Sequence, residues 1–108
     1  MVTKVNLTPH DVTITVDGRN ETIKSSGLAR CSEESVQIGL IDEWIPVFET
    51  EYGEVSGLPE PSEDTIYIVS AIVAKSNEVK SRTDVYVPAK TIRDEHGNVI
   101  GCVGLAKI

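Results

Sequence analysis

The chain has 108 residues, 40% of them apolar and 25% charged, the balance of one globular domain and not of a disordered chain. Its formal charge of −7 disfavours non-specific binding to nucleic acid or to an anionic membrane. The charge is one-sided: between Cys31 and Ala74 stand Glu33, Glu34, Asp42, Glu43, Glu49, Glu51, Glu54, Glu60, Glu63 and Asp64 with no lysine or arginine, a pattern that suits either a solvated acidic face or a basic partner surface.

Lys4 to Thr8 reads as a short strand broken by Pro9, which pushes Thr8 to extended geometry. Asp11 to Val16 alternates, with Val12, Ile14 and Val16 on one face. Asp17-Gly18 is a strong hairpin signal, and Asn20 to Lys24 is the returning strand. Leu28 to Cys31 suits another strand, and Ser32-Glu33-Glu34-Ser35 reads as a polar break. Val36 to Ile41 alternates up to a turn at Asp42-Glu43. Trp44 to Phe48 then reads as an edge strand, since Pro46 cannot donate to a central ladder, with Glu49 to Glu54 extending it. Gly57 to Asp64, with Pro59 and Pro61, is a stiff connection within the domain.

Thr65 to Ala74 is the longest apolar run and the segment expected to be buried on both sides. Thr65 to Val69 is read as a strand; Ala71 to Val79 is either a short helix capped by Ser70 or a continuation of the strand, which periodicity does not decide. Asp84 to Val87 is a strand that Pro88 is expected to end. Lys90 to Asp94 and Val99 to Val103 form a last hairpin with Gly97 in the left-handed position. Seven to nine short, mainly antiparallel strands and one or two short helices predict a β-rich α+β single domain, spanning residues 1–108, or a partly open barrel.

The chemistry-bearing residues are few. His10 follows Pro9 and precedes Asp11, a carboxylate able to orient an imidazole; it either faces a ligand or caps the strand end. Two histidines and two cysteines with no ligand spacing make a poor metal set, and Cys102 reads as a small buried strand residue, since too little chain follows it for a nucleophile elbow. No phosphate-cradling glycine pattern is present. Arg82 and Asp84 share one face if the strand already includes Arg82, and Ser70, at the carboxyl end of the buried strand, is then expected near them; guanidinium, carboxylate and hydroxyl together suit a phosphate and a ribose or base edge. The structural alternative is an ion pair of Arg82 with a local acid. With no apolar leader after Met1 and no run approaching the roughly 18 residues of a membrane span, the expected setting is a reducing cytoplasm with both thiols free.

Five segments together carry a resemblance: Asn6-Leu7-Thr8-Pro9-His10, Gly57-Leu58-Pro59-Glu60-Pro61, Tyr67-Ile68-Val69-Ser70, Arg82-Thr83-Asp84-Val85, and Arg93-Asp94-Glu95 followed by Gly97-Asn98-Val99-Ile100-Gly101-Cys102. Over nearly its whole length the chain resembles an uncharacterised family of small phage- and prophage-associated bacterial proteins that open with an NLTPH-like motif. The resemblance implies a bacterial cytoplasm during infection or lysogeny, and carries no catalytic role. The expected function is therefore that of a non-enzymatic binding protein acting on a host macromolecule through an acidic surface. The alternative is a binding or sequestering protein for a nucleotide-like small molecule, held by Asn6, His10, Ser70, Arg82 and Asp84. A small hydrolase with His10 as base ranks behind both. No cofactor, metal, membrane or direct nucleic-acid partner is expected, and the oligomeric state is open.

Overall fold

Alternating apolar residues, left-handed turn residues and two proline-interrupted runs build eight strands and two single-turn helices. The computed structural model describes residues 2–108. In chain order the elements are β1 (Thr3–Asn6), β2 (Val12–Val16), β3 (Arg19–Ile23), β4 (Arg30–Ile41), β5 (Ile45–Ser56), β6 (Thr65–Ile68), α1 (Ala71–Ala74), α2 (Asn77–Lys80), β7 (Val85–Arg93) and β8 (Val99–Lys107). Six strands make one sheet in the order β1-β6-β7-β8-β2-β3, and β4 and β5 pair only with each other. The two long hairpins and β2–β3 are antiparallel, whereas β1–β6, β6–β7 and β2–β8 are parallel.

The six-stranded sheet curls into a half-barrel, bringing its edges β1 and β3 towards each other. Asn6 forms an isolated bridge with Ser25 just past β3, Ser26 N donates to Asn6 O at 2.9 Å, and Lys4 Nζ meets Glu21 Oε2 at 2.7 Å. The ion pair is exposed and contributes little by itself; the backbone bridge and the buried Asn6 side chain hold the seam.

Strand β6 divides the core. Tyr67 and Val69 belong to a cluster with Leu7, Ala29, Val73, Val79 and Val85, while Ile68 points the other way, to Val12, Ile23 and Cys102. That is the period of two in a strand flanked on both sides, and Ile68 and Val69 are both fully buried. Each such side chain contributes about 1.5–3 kcal/mol of burial.

Four sequence expectations need correction. Residues 71–80 form two separate turns: α1 has no side-chain cap from Ser70, and Ser76, buried, starts α2 by accepting from Glu78 N. Pro88 does not end its strand; β7 runs on to Arg93 with Pro88 opposite Leu105, the ladder skipping Lys90, whose φ is +52°, and shifting register between Ile92 and Arg93. Ser32 to Ser35 does not end the strand: β4 runs through it, with only a register shift between Cys31 and Glu33. Trp44 lies in the turn before β5 and not in the strand, its N–H donating to Ile41 O at 3.2 Å after Asp42 and Glu43, both with positive φ.

The strands β4 and β5 are also longer than expected, 12 residues each, or about 40 Å at the usual rise. The hairpin projects from the body: the radius of gyration is 16.9 Å and the longest extent 56 Å, against roughly 13 Å for a compact domain of this length.

Candidate functional site: an acidic arm and a neutral cavity

The root of the β4–β5 arm is tied to the helices. Ser76 Oγ donates to Gly53 O at 2.7 Å, Glu78 Oε2 accepts from Val55 N at 2.7 Å, and Lys75 Nζ lies 5.3 Å from the Tyr52 ring centre. Beyond the root, residues 32–51 are exposed except for half-buried Val47.

The exposed part is unlike an ordinary solvated loop. Val36, Ile38, Leu40, Ile41, Trp44, Ile45 and Phe48 are all exposed, Trp44 by 74%. The same arm holds Glu33, Glu34, Asp42, Glu43, Glu49, Glu51 and Glu54, and its one base is Arg30 at the root. The acids of the middle third of the chain are thus concentrated on one projection, with Glu60, Glu63 and Asp64 in the following loop.

Register sharpens the picture. Glu34 stands directly opposite Glu51, and Val36 opposite Glu49. In an antiparallel pair, opposed residues and their i+2 neighbours share a face, so Glu34, Glu49 and Glu51 form a row of carboxylates on one face. Like charges directly opposed destabilise a ladder. Towards the tip that face turns apolar, with Ile41 opposite Ile45 and Gly39 opposite Val47. An extra residue in β4 between Gln37 and Gly39 places Ile38 in a bulge, which increases local twist and blunts edge pairing.

The second feature is an open-mouthed cavity of about 390 Å³ between β2, β7, β8 and the start of α1. It lies where the β2–β8 ladder is one pair long, Ile14 with Cys102, so the strands diverge around Val12 and Gly101. His10 and Ser70 both line it. The Thr8–His10 loop is set there by Asn6, whose Oδ1 accepts from Thr8 N at 3.0 Å and Thr8 Oγ1 at 2.7 Å. Its Nδ2 donates to His10 O at 2.8 Å and Ile23 O at 2.9 Å. Asn6 is fully buried and saturated by the protein. It positions the loop and offers nothing to a ligand.

Arg82 and Asp84 are elsewhere. Tyr67 pairs with Val85, so Asp84 stands level with Ile66 while Ser70 lies four residues further along the chain, two past the end of β6 and about 13 Å away at the rise of a strand. The expected grouping of Ser70 with Arg82 and Asp84 is thus not formed. Instead Arg82 Nε and Nη2 donate to the two Asp84 oxygens, each at 2.8 Å, and Nη2 also donates to Pro59 O at 3.0 Å. The guanidinium lies 5.8 Å from the Tyr67 ring centre. The pair clamps the Pro59 loop to the start of β7. Arg93 and Asp94 are likewise occupied, Arg93 Nη1 donating to Gly97 O and Asp94 Oδ1 accepting from His96 N and Asn98 N.

The Arg82 hydrogen bonds hold the Asp84 carboxyl below its ordinary value. Its folded pKa is depressed, so its contribution is complete above the unfolded value, near 4, and is lost as pH falls through the folded value. Arg82→Gln is expected to move the Asp84 titration back up, read by carboxyl NMR, and to cost about 1–3 kcal/mol at neutral pH in urea unfolding. An unshifted Asp84 titration in that variant would contradict the pairing.

Among the described residues no group of three or more His, Cys, Asp or Glu is placed to hold a metal ion, and no helix is long and apolar enough to cross a membrane. Cys31 and Cys102 are free, Cys102 buried. The class this geometry defines is a small half-barrel with a projecting acidic and apolar β-arm. Comparison with protein-family models, curated proteins and solved structures finds no match.

Sequence reasoning missed the arm as a unit, because Ser32–Ser35 looked like a break. The signal was present in the matching lengths on either side of Asp42-Glu43 and in the concentration of acids and large apolar residues across both strands.

Proposed function

We propose that this is a non-enzymatic binding protein whose β4–β5 arm docks on a macromolecule bearing an apolar cleft flanked by lysine or arginine. The observation that carries this reading is the arm itself, which exposes seven large apolar residues beside seven carboxylates and, past its root, buries almost none of them. Exposed apolar surface concentrated in this way marks an interaction site. The carboxylate row of Glu34, Glu49 and Glu51 selects a basic counterpart, since electrostatic complementarity fixes partner choice and speeds encounter. It also opposes arm-to-arm pairing between copies, which would set acids against acids. The resemblance to phage and prophage proteins supports a host macromolecule as the partner and a bacterial cytoplasm as the place.

Two variants test this together. Trp44→Ser with Phe48→Ser removes apolar anchors and keeps the charge; Glu34→Gln with Glu49→Gln and Glu51→Gln does the reverse. Both sets are exposed, so each is expected to change stability by less than about 1 kcal/mol. A host protein retained by the wild type should be lost from both variants, and its purified complex should dissociate as salt rises. Equal retention by wild type and both variants would overturn the reading.

A further inference from the structure

The cavity between β2, β7 and β8 is independent of the arm, and its chemistry differs from the arm's. We infer that it binds an uncharged small molecule with an aliphatic or aromatic body and one hydrogen-bonding group, and that it does not bind nucleotides or other phosphates. At about 390 Å³ it falls within the range of small-molecule sites. Its walls are built from Val12, Val87, Pro88, Val99, Ile100 and the buried Cys102.

The polar groups sit to one side. The hydrogen bonds at His10 are made by its carbonyl; the imidazole of this exposed residue on the cavity's edge makes none among the described residues. The Ser70 hydroxyl makes no capping bond to α1, although it sits at the N-cap position where such a bond is common. Thr8, also lining the cavity, is bound through its hydroxyl to Asn6 and the His10 carbonyl. One imidazole and one hydroxyl beside an apolar chamber suit a single neutral donor or acceptor on the ligand.

Charge decides the rest. Among the described residues no lysine or arginine lines the cavity, and its carboxylate, Asp11, is engaged by Ser25 N at 2.9 Å and by Lys24 at 3.7 Å. Lys24 is 84% exposed and faces solvent. Arg82, the cation best suited to a phosphate, is bound to Asp84 about four residues away along the sheet. A phosphate entering here would lose water without gaining a cation, and burying an uncompensated charge is costly.

Amide chemical-shift mapping with 1-naphthol, 1-naphthyl phosphate and AMP tests this on the full chain. Naphthol is expected to shift the amides of Thr13, Ser70, Ala71 and Gly101 with saturable binding, and the two phosphates to bind at least tenfold more weakly. Thr91→Trp, which fills the cavity, should weaken naphthol at least tenfold, whereas Trp44→Ser on the arm should leave it unchanged. Ala71→Phe, at an exposed position on the cavity lip, gives the same reading if Thr91→Trp fails to fold. Phosphate binding as tight as naphthol, shifts confined to the arm, or naphthol binding unaffected by the filling variant would each overturn the inference.

Discussion

Replacing Asn6 by alanine is expected to lower stability by about 4 kcal/mol in urea unfolding. The side chain makes four hydrogen bonds inside the protein and is fully buried. Alanine leaves the Thr8 N–H and the Ile23 carbonyl short of a side-chain partner, at about 1–3 kcal/mol each, and empties a buried site, while the Thr8 hydroxyl and the His10 carbonyl keep each other at 2.8 Å. Asn6→Asp is expected to be at least as damaging, because it keeps the acceptor for Thr8 but turns a carboxylate oxygen towards the His10 and Ile23 carbonyls. The loss is local in origin: the β1–β3 seam opens and the Thr8–His10 loop is freed. Hydrogen exchange of the Ser26 and Ala29 amides, which donate to Asn6 O and Leu7 O across this seam, should accelerate before that of Val69. A cost below about 1 kcal/mol would show that Asn6 is not the knot of the seam.

The second large effect is at Gly57. Its φ is +81°, and an added Cβ would fall inside contact distance of the Leu28 carbonyl oxygen, a backbone atom with little room to yield. Left-handed geometry costs an alanine about 1–2 kcal/mol, and displacing the Leu28–Ala29 backbone adds to it, for about 3 kcal/mol or more in total. Gly57 joins the arm to the proline loop, so the damage should appear in the amides of Ala29 and Val55 first. Gly39→Ala is the control. Gly39 lies in the exposed arm with nothing near the added carbon, and its substitution is expected to change stability by about 0.5 kcal/mol or less.

Much of the fold was legible because local chemistry and global structure agree. Asp17 and Gly18, with φ of 49° and 81°, form the turn their dipeptide announces, and Gly97, at 84°, does the same for the last hairpin. The apolar run Thr65–Val69 became the buried dividing strand that its composition implied. What could not be read depends on tertiary context. Pro88 was expected to end a strand, yet its missing N–H falls where the β7 ladder tolerates it. Ser32–Ser35 looked like a loop because polar residues mark turns in globular domains, whereas in a projecting hairpin both faces meet water and the polarity is no barrier to extension.

The site residues divide on the same principle. His10 and Ser70, 60 residues apart, come together because β6 and the Thr8–His10 loop meet at the cavity, a long-range fact that spacing does not encode. Arg82 and Asp84 were legible as a pair from their i, i+2 spacing, but their separation from Ser70 follows from the β6–β7 register. Asn6 looked like a ligand group because it is polar within an apolar strand; its actual partners are four groups of the protein.

The central claim is that the arm is a docking element for a basic, partly apolar partner, and Trp44, the single tryptophan, reports on it directly. Its emission should be followed during titration with an amphipathic peptide of alternating leucine and lysine blocks, and with the same peptide carrying glutamate for lysine. The account predicts a blue shift with the cationic peptide that weakens as salt rises and is lost in the Glu34→Gln, Glu49→Gln, Glu51→Gln variant, and no shift with the anionic one. Emission that stays at the solvent-exposed wavelength with both peptides, or shifts equally with both, would contradict it.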